Sequence, residues 1–90
     1  MKAYEVLYTD KAIKQLSRMD KQIRRMIKAW IEKNLVGTDD PRKTGKALTG
    51  DRKQYWRYRV GDYRILADIN DDKLIILVVT AAHRREVCRS

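Results

Sequence analysis

Two alternating segments joined by Gly61–Asp62 constrain the fold of this sequence more than any other feature. Over residues 56–60, aromatic or apolar side chains alternate with arginine, and residues 63–69 are again rich in strand-favouring types. A two-residue loop with glycine first is typical of a tight β-hairpin. Such a loop fixes the register, because Arg59 must then lie opposite Arg64. The sequence therefore predicts a hairpin whose two faces can be assigned residue by residue.

One face of this hairpin is apolar and the other carries arginine, since directly opposite residues share a face of a sheet. The apolar side chains are Trp56, Tyr58, Val60, Tyr63, Ile65 and Ala67. The other face brings together Arg57, Arg59 and Arg64, with no acidic residue expected on it. Like charges placed opposite each other destabilise a sheet by about a few tenths of a kcal/mol, which a bound anion would offset. Arginine binds phosphate through paired N–H donors, so this face is predicted to bind phosphate.

Further basic residues precede and follow the hairpin. They are Lys46, Arg52 and Lys53 upstream, and His83, Arg84 and Arg85 downstream. If the last strand pairs with residues 63–70, its end returns beside Arg64, where His83 and Arg84 complete a cationic surface with one titratable group. Such a surface suits phosphodiester chemistry without a metal. Two simpler interpretations stay open: an ordinary solvated strand face, and a histidine that only makes surface hydrogen bonds.

The rest of the chain predicts a small α+β domain. A short strand within residues 3–8 precedes two amphipathic helices between about 10 and 36, which form a helical hairpin. Residues 37–52 are interpreted as a loop, because they contain glycine, proline and few apolar side chains. The apolar run 74–81 predicts a strand covered on at least one face. The order β-αα-βββ implies one domain over residues 1–90, a three-stranded antiparallel meander, and both helices on one sheet face.

Charge and composition limit the possible partners and sites. The formal net charge is +9 and 43% of the residues are hydrophobic, so we expect a folded domain that binds a polyanion or an acidic protein. The longest apolar run, residues 74–79, is too short to span a bilayer, and no secretory signal is visible, so we expect a cytoplasmic protein without membrane contact. One cysteine and one histidine exclude an internal disulfide and the usual kind of zinc site. No metal or cofactor is expected.

The order and spacing of three segments are typical of a known protein family. They are Asp40-Pro41-Arg42 with Gly45-Lys46-Ala47-Leu48-Thr49-Gly50, then the alternating residues 56–65, then Ala82-His83-Arg84-Arg85-Glu86-Val87. Together they resemble RelE-type toxins of the bacterial RelE/ParE toxin–antitoxin superfamily, and the resemblance covers essentially the whole chain. It implies a ribosome-dependent, metal-independent endoribonuclease that cuts mRNA in the decoding site. In that reaction the ribose 2′-hydroxyl attacks the adjacent phosphate, leaving a cyclic phosphate and a 5′-hydroxyl.

The resemblance also implies roles for single residues. Arg57 and Arg59 stand where RelE toxins often carry two basic residues, at least one of which is proposed as general base. Arg64 matches the arginine that stabilises the transition-state charge, and Arg84 matches the one near the leaving group. Cys88 stands where the family commonly has a tyrosine that stacks on a codon base or supports the reaction.

This sequence departs from the family at the position of the general base. A guanidinium hardly releases its proton near neutral pH. The base is therefore expected to be His83 or Lys46, unless electrostatic stabilisation supplies most of the rate. The predicted catalytic residues are Arg59, Arg64, His83 and Arg84, and the predicted RNA-binding residues are Lys46, Arg52, Lys53, Arg57, Arg85 and Cys88.

The resemblance further implies a cognate antitoxin, whose acidic segment would complement the positive charge of the chain. The toxin–antitoxin complex would bind operator DNA only through the antitoxin. Two alternatives stay open. One is a ParE-like toxin that poisons DNA gyrase, which the arginine set argues against; the other is a non-catalytic basic RNA- or DNA-binding domain, which has no need for converging arginines.

Overall fold

The computed structural model describes residues 3–48 and 55–87, in which two helices pack on one face of a mixed β-sheet. In chain order the elements are β1 (Glu5–Tyr8), α1 (Asp10–Ser17), α2 (Lys21–Asn34), β2 (Lys46–Ala47), β3 (Trp56–Val60), β4 (Tyr63–Asn70), β5 (Ile75–His83) and α3 (Arg84–Val87). The strand order is β1-β5-β4-β3-β2. The predicted α+β class, the helical hairpin and the antiparallel meander of β3, β4 and β5 are confirmed.

Two strands extend the sheet beyond the predicted meander. β1 pairs in parallel with β5, with Val6 opposite Ile76, so the sheet is mixed and not purely antiparallel. A parallel pair needs a long crossover connection, and the two helices begin the connection that separates β1 from β5. β2 lies within residues predicted as a loop and pairs with the outer edge of β3, with Lys46 opposite Arg57.

The predicted hairpin register is confirmed. Arg59 lies opposite Arg64, and Val60 lies opposite Tyr63. Gly61 has a φ of 61°, in the left-handed region that costs other residues about 1–2 kcal/mol. This is the glycine-first turn whose twist matches that of the flanking strands.

A β-bulge at Val79 changes which residues of β5 face the helices. The ladder places Leu66 opposite Thr80 but Ala67 opposite Val78, so Val79 is the extra residue. Ile76 and Val78 are buried on the helix side before the bulge, and Ala81 is buried there after it. The inward positions therefore change from even to odd numbers along this strand.

Helix α1 satisfies backbone groups near the bulge. The Thr9 hydroxyl donates to the Val79 carbonyl at 3.1 Å and accepts the Ala12 amide at 3.1 Å, which caps α1. The Gln15 side-chain oxygen accepts the Ala81 amide at 2.9 Å. Because unpaired backbone groups are costly when removed from water, these bonds stabilise the irregular part of β5.

Tyr58 lies at the centre of the core between β3 and the helices. Its side chain is fully buried, and its ring centroid lies 5.5 Å from that of Trp30. Its hydroxyl donates to the Pro41 carbonyl at 2.6 Å, which fixes the segment between α2 and β2 against the sheet. Burial raises the pKa of the Tyr58 phenol above its ordinary value of 10.0, so the hydroxyl keeps its proton.

This raised pKa predicts a loss of stability at high pH. Above about pH 10 the unfolded chain releases the Tyr58 proton and the folded chain does not, so the free energy of unfolding falls by up to about 1.4 kcal/mol per pH unit from this group. Tyr58→Phe should lower stability at neutral pH by about 1–2 kcal/mol and flatten the fall above about pH 10. Urea unfolding across this range tests both effects. Parallel curves for the two proteins would contradict the assignment.

Candidate functional site

The predicted arginines lie on the sheet face opposite the helices, which we call the arginine face (Arg57, Arg59, Arg64 and their neighbours on that side). Arg59 is exposed, and Arg57 and Arg64 are half-buried. Lys46 joins them, because β2 pairs it directly with Arg57. The face therefore presents two cross-strand pairs of cations on adjacent strands, Lys46–Arg57 and Arg59–Arg64.

Arg64 is oriented by the hairpin turn. Its Nη1 atom donates to the carbonyls of Gly61 at 3.3 Å and Tyr63 at 3.2 Å. These bonds hold the guanidinium over the turn end of the arginine face. A preoriented guanidinium loses less conformational entropy when it binds an anion, so this arrangement suits an anionic ligand.

The connection before β2 is fixed in a way that positions Lys46. Gly45 has a φ of 85° and lies so close to β3 that an added Cβ would meet the Arg57 carbonyl. The Trp56 indole N–H donates to the Thr44 carbonyl at 2.6 Å. Lys46 therefore follows a segment that the sheet itself anchors.

An ion pair anchors the start of the same connection. Arg42 makes two bonds to the Asp71 carboxylate, at 3.0 and 3.1 Å, and the Tyr4 hydroxyl donates to Asp71 at 2.7 Å. The hydrogen bond to Asp71 raises the pKa of both Tyr4 and Arg42. This network connects β1, the β4–β5 turn and the segment that leads to β2.

The end of the arginine face away from the hairpin turn is apolar, which the sequence analysis did not identify. Leu48 and Tyr55 lie there, and they pack against a buried cluster of Leu66, opposite Arg57, and Ala82, opposite Arg64. The Leu48 amide donates to the Tyr55 carbonyl at 2.8 Å, which continues the β2–β3 pairing by one residue. The alternation of β3 indicated this arrangement, since Tyr55 precedes Arg57 by two positions and must share its face.

The expectation that no acid shares this face is wrong. Asp68 follows Arg64 and Leu66 at alternate positions of β4, and its neighbours Ala67 and Ile69 belong to the core cluster on the helix side. Asp68 therefore lies on the arginine face, at its apolar end. It is separated from the Arg59–Arg64 pair by the row that contains Leu66.

The structure does not bring His83 to the arginine face, contrary to the sequence prediction. β5 pairs His83 with Tyr63, a residue of the helix side, because the bulge at Val79 changes the inward positions of this strand. The two rings meet edge to face, with centroids 5.4 Å apart. The His83 Nδ1 atom accepts the Arg85 amide at 3.2 Å.

Arg84 lies beside the hairpin turn, as the sequence predicted. Its backbone N–H donates to the Asp62 carbonyl at 2.8 Å, so α3 begins beside the hairpin turn and near Arg64. The side chains of Arg84 and Arg85 are exposed. Arg52, Lys53 and Cys88 lie outside the described residues.

Two other features are absent from the described ranges, 3–48 and 55–87. No group of three or more His, Cys, Asp or Glu side chains is placed to hold a metal ion. No helix in these ranges is long and apolar enough to cross a membrane.

A groove lies on the other side of the sheet, between β1 and the two helices. Its lining combines apolar and cationic side chains, namely Tyr8, Ile13, Leu16, Ser17, Arg24 and Lys28. Ile13 is exposed despite its size. The groove can accept a segment with apolar and acidic residues.

Three toxin–antitoxin complexes are among the solved structures with a similar fold. A chain of the RelBE2 complex from Mycobacterium tuberculosis has a TM-score of 0.83 at 25% identity, over 93% of this chain and 94% of that chain. A chain of the intact E. coli RelBE complex has a TM-score of 0.72 at 19% identity, over 90% and 96%. A chain of the RelB–RelE complex from Methanococcus jannaschii has a TM-score of 0.66 at 29% identity, over 91% and 94%.

Comparison of the sequence gives the family. No curated protein matches the chain significantly. The family model of the ParE toxin of type II toxin–antitoxin systems, parDE, matches residues 6–88. This match covers most of the chain, and the fold agrees with that of RelE toxins. The protein therefore belongs to the RelE/ParE family of toxins of type II toxin–antitoxin systems.

Proposed function

We propose that this toxin is an endoribonuclease that cleaves mRNA in the decoding site of the ribosome, without a metal or cofactor. The observation that carries the proposal is the pair of cation rows on one sheet face, Lys46–Arg57 and Arg59–Arg64. A sheet gains nothing from like charges placed opposite each other, so their convergence favours an anionic ligand. The proposal places the protein in the cytoplasm, where translating ribosomes are found.

The proposed reaction forms a bond between the ribose 2′-oxygen and the adjacent phosphorus and breaks the bond to the 5′-oxygen. Arg59 and Arg64 stabilise the charge that develops on the phosphate oxygens. Lys46 accepts the 2′-hydroxyl proton, because an amine can act as a base and a guanidinium is a poor one. Arg84 stabilises the leaving 5′-oxygen, which takes its proton from water.

The other predicted site residues divide into two groups. Arg57 and Arg85 bind the RNA backbone beside the reacting phosphate, and we assign the same role to Arg52 and Lys53 from their positive charge. Cys88 contacts the RNA at the position where the family commonly has a stacking tyrosine. We leave His83 out of the cleavage step, because it pairs with Tyr63 on the helix side of the sheet.

We also propose a cognate antitoxin as the physiological partner. The similar structures from M. tuberculosis, E. coli and M. jannaschii are toxin–antitoxin complexes. The net charge of +9 favours a partner with an acidic segment. The groove between β1 and the helices offers Ile13 and Leu16 to its apolar residues and Arg24 and Lys28 to its acidic ones. Operator DNA would be bound only through this antitoxin.

A second candidate function is poisoning of DNA gyrase, as for ParE-like toxins. The matching family model has the ParE name, which favours this candidate. The arginine rows argue against it, because gyrase poisoning needs no converging phosphate-binding residues. A non-catalytic RNA-binding role is the third outcome that an experiment must separate.

Inducible expression followed by mapping of mRNA 5′ ends tests the proposal. We expect cuts in phase with codons, which disappear in Arg64→Ala while the variant keeps the melting temperature of the wild type to within a few degrees. DNA damage with intact mRNA would instead indicate gyrase. Salt-sensitive RNA binding without cuts would indicate a binding module.

A further inference from the structure

The apolar end of the arginine face combines the two features that single-stranded nucleic acid needs, an aromatic ring and adjacent cations. Tyr55 packs on the small cluster of Leu66 and Ala82, and it is half-buried, so part of its ring is accessible. Arg57 follows it by two positions on the same strand face, about 6.6 Å further along. Base stacking on aromatic side chains beside a basic groove is the general mode of binding unpaired strands.

Among the described residues, Tyr55 is the one tyrosine or tryptophan on this face. The other tyrosines of the sheet, together with Trp56, pack on the helix side or within the core. Residues 49–54 and 88–90 contain no aromatic side chain. An aromatic ring that stacks on a base at this face is therefore that of Tyr55.

The neighbours of Tyr55 restrict the movement of its side chain. Leu48 lies beside it through the backbone bond at 2.8 Å, and Leu66 and Ala82 support the cluster from β4 and β5. A ring supported on one side and partly exposed on the other loses little entropy when a base stacks on it. The cluster also explains why buried apolar residues occur on a face that otherwise carries charge.

From these contacts we infer that Tyr55, supported by Leu48 and Leu66, forms a nucleobase-binding site for the RNA strand whose backbone Arg57 binds. The inference rests on the proposed RNA substrate and adds the residue that holds a base. The cations Lys46 and Arg57 face each other in the row next to Tyr55 and Leu48. One nucleotide spans from this row to the ring, so a phosphate and its base can bind at the same time. Tyr55 thus acts as a positioning residue, because it orients the strand and touches no reacting atom.

Binding of a short RNA that contains the fluorescent base 2-aminopurine tests this site in the full-length protein. Methylation of the 2′-hydroxyls prevents cleavage, and the fluorescent base is moved through successive positions. We expect quenching at one position, which is lost in Tyr55→Leu and retained in Tyr55→Phe. Tyr63→Leu is the matched control, since it removes a half-buried tyrosine from the opposite sheet face and should leave the quenching intact.

A second measurement needs no variant. Removal of the base at the quenched position should weaken binding of the wild type by about five- to 150-fold, the usual contribution of one stacked base. Equal affinity for the intact and abasic strands would overturn the inference. So would quenching that survives Tyr55→Leu, or quenching at no position.

The two proposals fail in different ways. RNA that binds in an arginine-dependent manner, without quenching, overturns the nucleobase site and leaves the proposed nuclease standing. RNA that does not bind at all overturns the nucleobase site, and the codon-phased cuts in the cell then decide the proposed nuclease separately. Quenching without codon-phased cuts in the cell supports the nucleobase site and rejects the nuclease.

Discussion

Gly45→Ala is expected to lower the free energy of unfolding by about 2–5 kcal/mol, combining strain from the left-handed backbone with steric overlap. The φ of Gly45 is 85°, and an alanine Cβ would meet the Arg57 carbonyl, lie 2.7 Å from the Trp56 indole nitrogen and 3.0 Å from the Tyr58 ring. Because the first obstacle is backbone of a paired strand, it cannot move without breaking the β2–β3 pairing. Urea unfolding measures the loss.

Gly37→Ala is the matched control for this prediction. Gly37 has a φ of 76°, and nothing lies within 4 Å of its added Cβ. It therefore carries the backbone strain alone, and we expect a loss of about 1–2 kcal/mol. Equal losses in the two variants would show that close approach to β3 contributes nothing. RNA cleavage should fall more in Gly45→Ala, since Gly45 places Lys46 opposite Arg57.

Arg59→Gln is expected to change activity and stability in opposite directions. Loss of one donor to the developing phosphate charge should slow single-turnover cleavage of mRNA on ribosomes by about 10²-fold. The same change removes the like-charge pair with Arg64, so the free energy of unfolding should rise by about a few tenths of a kcal/mol. Opposed changes of this kind mark residues retained for function.

Arg25→Gln serves as the control for Arg59→Gln. Arg25 is an exposed residue of α2, so the substitution removes an equal charge from the helical side of the protein. Cleavage should change less than threefold. A comparable loss from both variants would show that the overall charge, and not the arginine face, determines activity. A clear fall in stability for Arg59→Gln would show that the arginine is structural.

The arginine face was predictable because one short turn determines it. Gly61 at the first loop position fixes the pairing of Arg59 with Arg64, and alternation then assigns every side chain of β3 and β4 to a face. The periodic apolar residues of both helices were equally informative, because only one face of each helix can be buried.

Alternation along the strand did not predict the face on which His83 lies. The bulge at Val79 inserts one residue into β5 and reverses the faces of all that follow. The apolar run that contains Val79 has no alternation to reveal it. The groups that stabilise it are Thr9, the N-cap of α1, and Gln15 within α1, both far away in the chain. β2 was not predicted for a related reason. Its two residues form a strand only because they pair with β3, which comes later in the chain.

The pairing of the first strand with the last has a consequence for the synthesis of this protein. β1 cannot pair until β5 has been synthesised, about 70 residues later, as the Thr9–Val79 separation of 70 indicates. The hairpin of β3 and β4 is at best marginally stable alone. Contacts this distant in the chain slow folding and defer completion of the sheet until β5 has emerged. The proposed nuclease would therefore acquire its folded site only after β5 has left the ribosome.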